Sequence, residues 1–380
     1  NTSPSCYVVS CQRRKSILDI KLFIMLVRQK NSRTILHRYC GRDFIQRSNC
    51  TATLSSTDRN SAETDANTVF RGVWPIIATP FHSDESVDYK SFEKTIDFFT
   101  HKIGVNGCTI LGVLGESNRL VESERKELIS IATSISDKMC VGTSHSGTHA
   151  TLKLSEQAMA DGAHSVMITP SKEPVPDQST IIQYYKNIYQ GLGDNVPIVL
   201  QDHPASTMVH MSMDSMKAII QECPSIQCVK LESLPTPPKI RSLVPWIKDN
   251  NRNVSILTGL GALYGLFDLQ CGTNGFMTGF AFPEILLALY EEQVLRGNES
   301  NAKMLYQKYL PLIVFEQQPG VALRKEIYKL RGIIDCTHVR HPGKNISSEH
   351  HDFVVGQLKD CVDFVLGDSV DLTRKIPISI

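Results

Sequence analysis

The 380-residue sequence predicts an α/β fold, namely a (β/α)8 TIM barrel with a C-terminal helical extension. From residue 72 to residue 297, short apolar runs alternate eight times with longer stretches of helical periodicity. Most of the apolar runs are nearly continuous, which is typical of parallel strands covered on both faces. Repeated strand–helix alternation builds a parallel sheet, and eight such units close a barrel.

A doubly wound open sheet is the alternative arrangement of the same units. A dinucleotide-binding sheet of that kind carries a glycine-rich loop after its first strand. The first apolar run here, GVWPIIATPF (72–81), is followed by no such loop. The barrel is therefore the preferred interpretation.

The predicted strands are short and apolar, and the predicted helices repeat their apolar residues every three to four positions. In chain order the strands are 72–81, 107–113, 138–144, 164–170, 197–202, 226–232, 254–259 and 274–280. The helices that follow them are 88–102, 122–135, 150–163, 178–192, 212–223, 239–250, 262–271 and 283–297.

The chain divides into three predicted regions. Residues 71–300 form the barrel, and residues 301–380 form a helical region with apolar-periodic stretches at 301–317, 320–332 and 349–366. Residues 1–70 form a basic N-terminal targeting segment and a flexible linker, because they hold 11 Lys and Arg against 5 Asp and Glu.

If Met25 is the start of translation, the protein opens on a stretch with spaced arginines, many hydroxyl residues and one acid, Asp43. Such a composition predicts a transit peptide and a location in the mitochondrial matrix. If Met25 is not the start, the expected location is cytoplasmic. The alternatives are an unstructured basic tail and upstream sequence that is not translated.

Composition argues against several classes of partner. The formal net charge of +1 gives no electrostatic basis for binding nucleic acid. The apolar run LFIMLV (22–27) is too short to cross a bilayer, so no membrane partner is expected. The eleven cysteines form no C-x-x-C pair, and the sequence contains no ligand cluster that indicates a metal.

Lys230 is the unexpected residue of the sixth strand. It lies in the apolar run IQCVKLE (226–232), where burying an ammonium group is costly. In a barrel the carboxyl ends of the strands carry the chemistry, and an inward lysine there is favoured as a neutral amine. A neutral amine attacks a ketone to form a Schiff base, which acts as an electron sink. The alternative is a side chain that extends to the rim and pairs with Glu232.

Three segments add a resemblance to a known family. GVWPIIATPF (72–81), GVLGES (112–117) and VKLE (229–232) are similar to the class I pyruvate aldolases, which include dihydrodipicolinate synthase and N-acetylneuraminate lyase. The resemblance covers residues 72–300. It implies that Lys230 forms the Schiff base, that no metal cofactor is needed, and that the chain forms a homo-oligomer, a dimer or tetramer.

The resemblance also implies that the loop 112–117 receives the carboxylate of a 2-oxo acid such as pyruvate. Its glycines let the backbone approach an anion, and its N–H groups donate to it. The expected substrate-binding residues are Thr79, Gly112, Val113, Leu114, Gly115, Glu116, Ser117, His145, Gly259 and Gly279.

The sequence departs from the family at four places. Val113 and Leu114 stand where the loop usually carries two hydroxyl residues, and Gln201 stands at the position of the proton-relay tyrosine. Ser206 replaces the arginine that holds the second substrate of the synthases, and the subunit-crossing aromatic after the fourth strand is absent. Proton transfer is therefore assigned to the polar residues at the strand ends, and the catalytic candidates are Lys230, Gln201, Asp202, His203 and Glu232.

The predicted function is a Schiff-base lyase or aldolase that acts on pyruvate or another small 2-oxo acid through Lys230. A dihydrodipicolinate synthase-type condensation is an alternative, although the missing arginine and tyrosine argue against it. A barrel that binds a metabolite without turnover is the alternative from a different class.

Overall fold

The structure is a computed structural model that describes residues 70–172, 176–318 and 320–380. Apart from Phe70, the predicted targeting segment and linker lie outside the described residues. Of the helices within the described ranges, none is both long and apolar enough to cross a membrane.

Eight parallel strands form one sheet, in the order β1-β8-β7-β6-β5-β4-β3-β2. A parallel bridge between Ile76 and Thr109 joins the β1 side of the sheet to β2 and closes the ring. This arrangement confirms the predicted barrel. The strands are β1 Gly72–Val73, β2 Cys108–Ile110, β3 Met139–Gly142, β4 Ser165–Ile168, β5 Ile198–Asp202, β6 Ile226–Leu231, β7 Ser255–Thr258 and β8 Gly275–Phe276.

The regular ladders of β1 and β8 are shorter than the apolar runs that predicted them. Single hydrogen bonds continue the pairing past these ladders, from Trp74 N to Phe276 O at 2.8 Å and from Ile76 N to Thr278 O at 2.9 Å. Pro75 lies between the two donors and has no N–H of its own, so it contributes no donor to the ladder.

Twelve α-helices are found within the described ranges. Those that follow the first four strands are α1 Tyr89–Asp97, α2 Glu122–Ile135, α3 Thr148–Ala160 and α4 Gln178–Leu192. The next five are α5 Pro204–Thr207, α6 Met213–Glu222, α7 Thr236–Asp249, α8 Gly265–Gln270 and α9 Pro283–Tyr290. The C-terminal region contributes α10 Glu299–Phe315, α11 Val321–Leu330 and α12 Ser348–Leu366.

Local chemistry accounts for several helix boundaries. The carboxylate of Asp177 accepts a hydrogen bond from Thr180 N at 2.7 Å and so begins α4 at the predicted residue. The predicted helix 88–102 is α-helical only to Asp97 and then widens into a π-helical turn, Phe98–Ile103. Gly104 ends that turn with a φ of 81°, which glycine adopts without steric cost.

Apolar side chains from the strands and their extensions fill the inside of the barrel. Because strand side chains alternate between faces, residues two positions apart share a face. Cys228 and Val199 point inward, so Lys230 and Gln201 do too, whereas Asp202 points toward the helices. The interior cluster comprises Phe70, Trp74, Ile76, Cys140, Met167, Val199, Cys228, Leu257 and Met277.

Candidate active site

Lys230 lies at the carboxyl end of β6 and is only 4% exposed. In the strand register it stands between Gln201 of β5 and Leu257 of β7. Its Nζ lies 3.0 Å from Oε2 of Glu232. The side chain is thus buried, inward and paired. The sequence pattern predicted either the inward position or the pairing with Glu232, and the structure shows both at once.

Glu232 is the hub of the polar groups around this lysine. Its Oε2 also accepts a hydrogen bond from Nε2 of Gln201 at 2.7 Å and lies 3.9 Å from Nδ1 of His203. Its Oε1 accepts from the backbone N–H of Leu260 at 3.3 Å. The structure therefore brings three of the five predicted catalytic residues, Lys230, Gln201 and His203, around the carboxylate of a fourth, Glu232.

Burial and charge act in opposite directions on this carboxylate. Burial by itself raises the pKa of Glu232, but Lys230, His203 and Gln201 together bring it below its ordinary value. Burial lowers the pKa of His203, with Glu232 opposing the shift, so the imidazole is neutral at pH 7. A neutral imidazole both donates and accepts a hydrogen bond, as a proton carrier must. Its Nδ1 lies 2.8 Å from the hydroxyl of Ser206.

A cavity of about 180 Å³ contains the Lys230 side chain. Its wall combines strand ends with the C-terminal helical region. A second cavity, of about 470 Å³, adjoins the first because Val113 and Gln201 line both. Apart from Val113, Gln201 and Glu232, the smaller cavity is lined by Ile76, Leu114, His203, Lys230, Leu260, Gly261, Thr278, Gly279, Glu316, Gln317, Gly320 and Arg324.

The predicted substrate-binding residues fall into three groups. Val113, Leu114 and Gly279 line the cavity of Lys230. Gly112, Ser117 and His145 line the larger cavity, together with Val113. Thr79, Gly115, Glu116 and Gly259 line neither cavity.

Residues of the third group hold the site in shape. The hydroxyl of Thr79 donates to the carbonyl of Gly115 at 2.6 Å and so fixes the loop 112–117. Glu116 is buried, and its Oε1 lies 2.6 Å from Nζ of Lys325 on α11. A Cβ atom at position 259 would overlap the Glu232 side chain, so Gly259 leaves the space that this carboxylate occupies.

Asp202 is the predicted catalytic residue that the structure does not bring to Lys230. It is buried on the outer face of β5 and lines neither cavity. Burial raises its pKa, which Ser233 and Lys239 oppose. The period-two alternation of strands explains the separation, since Asp202 follows the inward Gln201 directly.

The contribution of the C-terminal region to the Lys230 cavity was not predicted from the sequence. Arg324 on α11 is 4% exposed, and its Nε donates to Oε1 of Glu316 at 2.6 Å. Both residues line the Lys230 cavity. The available signal was the run LRKEIY (323–328), which places charged residues where α11 turns its buried face to the barrel.

Known proteins resemble this chain in both sequence and fold. A sequence profile described as the dihydrodipicolinate synthetase family matches residues 69–361. A 4-hydroxy-tetrahydrodipicolinate synthase of Persephonella marina is 28% identical over 302 residues, which are 77% of this chain and 98% of the relative. An L-2-keto-3-deoxyarabonate dehydratase of Azospirillum brasilense is 27% identical over 72% of this chain and 88% of its own length.

Among solved structures, a dihydrodipicolinate synthase from Rhodopseudomonas palustris superposes with a TM-score of 0.72. It is 31% identical, and the match covers 77% of this chain and 98% of that one. The profile match spans the barrel and most of the C-terminal helices, and it includes the buried Lys230 at the end of β6. The chain belongs to the dihydrodipicolinate synthetase family.

Proposed function

We propose that this protein is a Schiff-base lyase or aldolase that acts on a small 2-oxo acid through Lys230. The observation that carries the proposal is the amine of Lys230, 4% exposed, inside a cavity and 3.0 Å from a carboxylate that can take its proton. A lysine with these surroundings is suited to nucleophilic attack on a ketone. The imine itself is the electron sink, so the chemistry needs no metal.

Glu232 is both the ion-pair partner of Lys230 and the group that accepts its proton. Lys230 and Glu232 form an ion pair at 3.0 Å, and an ammonium group is not nucleophilic. Transfer of one proton to Glu232 frees the amine, which attacks the keto carbon. The oxygen of the adduct takes one proton from the attacking nitrogen and one from Glu232, and leaves as water. Overall, one ammonium group and one ketone become one protonated imine and one water.

The same carboxylate replaces the tyrosine relay in the next step. The protonated imine withdraws electrons from the substrate, so the adjacent carbon can lose a proton or a carbon–carbon bond can break. Gln201 holds Oε2 of Glu232 in place, and neutral His203 lies 3.9 Å from that oxygen. The same nitrogen of His203, Nδ1, lies 2.8 Å from the hydroxyl of Ser206, which lines the larger cavity.

A synthase-type condensation remains the second candidate, because the Persephonella relative is named for it. The position of the arginine that such condensation uses holds Ser206, whose hydroxyl is engaged with His203. The name of the Azospirillum relative instead directs the search to 2-keto-3-deoxy sugar acids. Assembly as a dimer or tetramer and the mitochondrial location stay predictions.

Borohydride trapping tests the proposal. The protein is incubated with pyruvate, 2-oxobutyrate, 2-oxoglutarate or a 2-keto-3-deoxy sugar acid, reduced, and mapped by peptide mass spectrometry. We expect an adduct on Lys230 with at least one ligand and none in Lys230→Met. Lys239→Met is the control, because Lys239 follows Lys230 as the next lysine in the chain and lines neither cavity.

Absence of an adduct across the whole panel would overturn the Schiff-base assignment. An adduct without turnover of any ligand would leave a metabolite-binding barrel as the better description. Turnover of pyruvate with aspartate semialdehyde would instead establish the synthase reaction.

A further inference from the structure

Arg324 has more donors than partners. A guanidinium group offers five N–H donors in a fixed plane. Its Nε donates to Oε1 of Glu316 at 2.6 Å, and its Nη2 is ion-paired with the same carboxylate. Within the part of the chain that the structure describes, its Nη1 is buried and has no hydrogen-bond partner. Leaving a buried donor without a partner costs about 1–3 kcal/mol of free energy, so a ligand that accepts a hydrogen bond from this nitrogen would recover that cost.

The free nitrogen lies against Gly279, a residue of the Lys230 cavity wall. Arg324 and Gly279 both line that cavity. A Cβ atom at position 279 would overlap Nη1 of Arg324 and Cδ1 of Leu114. Glycine at this position therefore lets the guanidinium pack against the cavity wall, and any larger residue would displace it.

The two central residues of the neighbouring loop carry no side-chain donors for an anion. At the two central positions of the loop 112–117, Val113 and Leu114 present only hydrocarbon to the cavity. A carboxylate bound against these two residues would meet only their backbone N–H groups. Nη1 of Arg324 reaches the same corner from α11, next to Leu114.

The charges of the cavity are otherwise balanced in pairs. Lys230 is paired with Glu232, and two nitrogens of Arg324 are paired with Glu316. Glu316 also accepts the backbone N–H of Ala281 at 2.9 Å, so its oxygens are well supplied with donors. An incoming carboxylate thus finds one unused cationic donor group, and a guanidinium edge matches its geometry.

We propose that Nη1 of Arg324 anchors the carboxylate of the 2-oxo acid whose keto carbon is bound by Lys230. This inference rests on the proposed function and adds the residue that makes the site specific for an acid. The C-terminal helical region, rather than the loop hydroxyls, supplies the side chain that selects an acid over an uncharged ketone.

The test compares pyruvate with pyruvamide, in which a neutral amide replaces the carboxylate. Trapping rates on Lys230 are measured for both ligands, and their ratio is compared between variants so that the different reactivity of the two ketones cancels. Arg324→Lys keeps one cation for Glu316 but removes the free nitrogen. The double variant Arg324→Gln/Glu316→Gln removes both charges and leaves no buried ion unpaired.

We expect the preference for pyruvate to fall roughly tenfold to a hundredfold in both variants, as for loss of a charge-assisted hydrogen bond. Arg331→Lys is the matched control, because Arg331 is also buried and paired with a glutamate, Glu284, but lies outside both cavities. It should keep the wild-type ratio. An unchanged ratio in the Arg324 variants would show that water alone satisfies Nη1 and would overturn the inference.

A second measurement separates this inference from the Schiff base. In Lys230→Met no imine can form, and calorimetry reports the binding of pyruvate alone. Binding that weakens about tenfold or more on adding Arg324→Lys supports the anchor even if wild-type protein gives no adduct. Equal binding with and without Arg324→Lys counts against the anchor even if Lys230 forms an adduct.

Discussion

Two neighbouring carboxylates at the carboxyl ends of β5 and β6 are buried in opposite electrostatic settings. Glu232 faces the ammonium of Lys230, and its pKa is lowered despite burial. Asp202 faces the helices, where burial is the largest effect and raises its pKa. The sequence placed both among the catalytic candidates because strand ends are close in space. Only side-chain parity separates the carboxylate that contacts Lys230 from the one that does not.

These opposite shifts predict opposite pH dependences of stability. A lowered folded-state pKa contributes stability above the unfolded value, 4.5 for Glu232, which is lost as the pH falls through the folded value. The free energy of unfolding of wild type should therefore exceed that of Glu232→Gln most at neutral pH, by about 3–5 kcal/mol, because the variant leaves Lys230 unpaired. The difference should shrink below pH 4.5.

Asp202→Asn is the matched control for that experiment. A raised folded-state pKa contributes stability that is present below the unfolded value, 3.8, and is lost as the pH rises through the folded value. Wild type should thus lose stability relative to Asp202→Asn as the pH rises. Urea unfolding from about pH 7 to about pH 3 measures both differences. Differences that change in the same direction would contradict the assigned environments.

At the scale of elements, the apolar periodicity of the sequence predicted those helices whose bounds are set by local interactions. The predicted helices 122–135 and 178–192 coincide with α2 and α4, because each repeats its apolar face without interruption and begins with an acidic residue or a side-chain cap. The π-helical turns at Phe98–Ile103 and Glu291–Leu295 were not predicted, since one extra residue in a turn hardly alters an apolar period.

The turn after β7 offers a test of how an element positions the site. Gly259 has no Cβ to overlap Glu232, whose flexible side chain is the part that must move if one is added. Gly259→Ala should therefore leave the fold intact but displace the carboxylate from Lys230, which slows borohydride trapping by roughly tenfold or more, as expected when a reacting group is misplaced by about 1 Å.

Gly356→Ala is the matched glycine substitution, because a Cβ at that position of α12 meets open space. It should keep the wild-type trapping rate and raise helix stability by up to about 1 kcal/mol. Circular dichroism checks that Gly259→Ala is folded. A folded Gly259→Ala protein that traps pyruvate at the wild-type rate would show that the position of Glu232 does not limit imine formation.

At the scale of the whole molecule, the C-terminal helices contribute side chains to the site and are not only an extension that follows the barrel. Arg324 lines the Lys230 cavity, and Lys325 binds Glu116 across 209 positions of sequence. The barrel and its lysine were predictable because eight local patterns repeat and one polar residue breaks an apolar strand. These long-range pairs were not predictable, because a charge on a helix has no partner until the topology brings one to it.

The buried pair of Lys325 and Glu116 should make the barrel and the C-terminal helices unfold together. Both side chains are 1% exposed, 2.6 Å apart, and Lys325 also donates to the carbonyl of His338. Removal of one partner from a buried pair costs about 3–5 kcal/mol, so Glu116→Gln and Lys325→Met should each destabilise strongly. The double variant should lose less than the sum of the two, since Lys325 and Glu116 are then both absent and only the partly exposed Arg119, 2.5 Å from Glu116 in the wild type, loses a partner. Glu156→Gln is the control, because Glu156 and Lys153 form an exposed pair at 2.7 Å, worth about 0–1 kcal/mol.

Urea unfolding followed by tryptophan fluorescence and by circular dichroism should give one coincident transition for the wild type. Additive losses, or separate transitions for the two probes, would show that the helical region folds independently of the barrel.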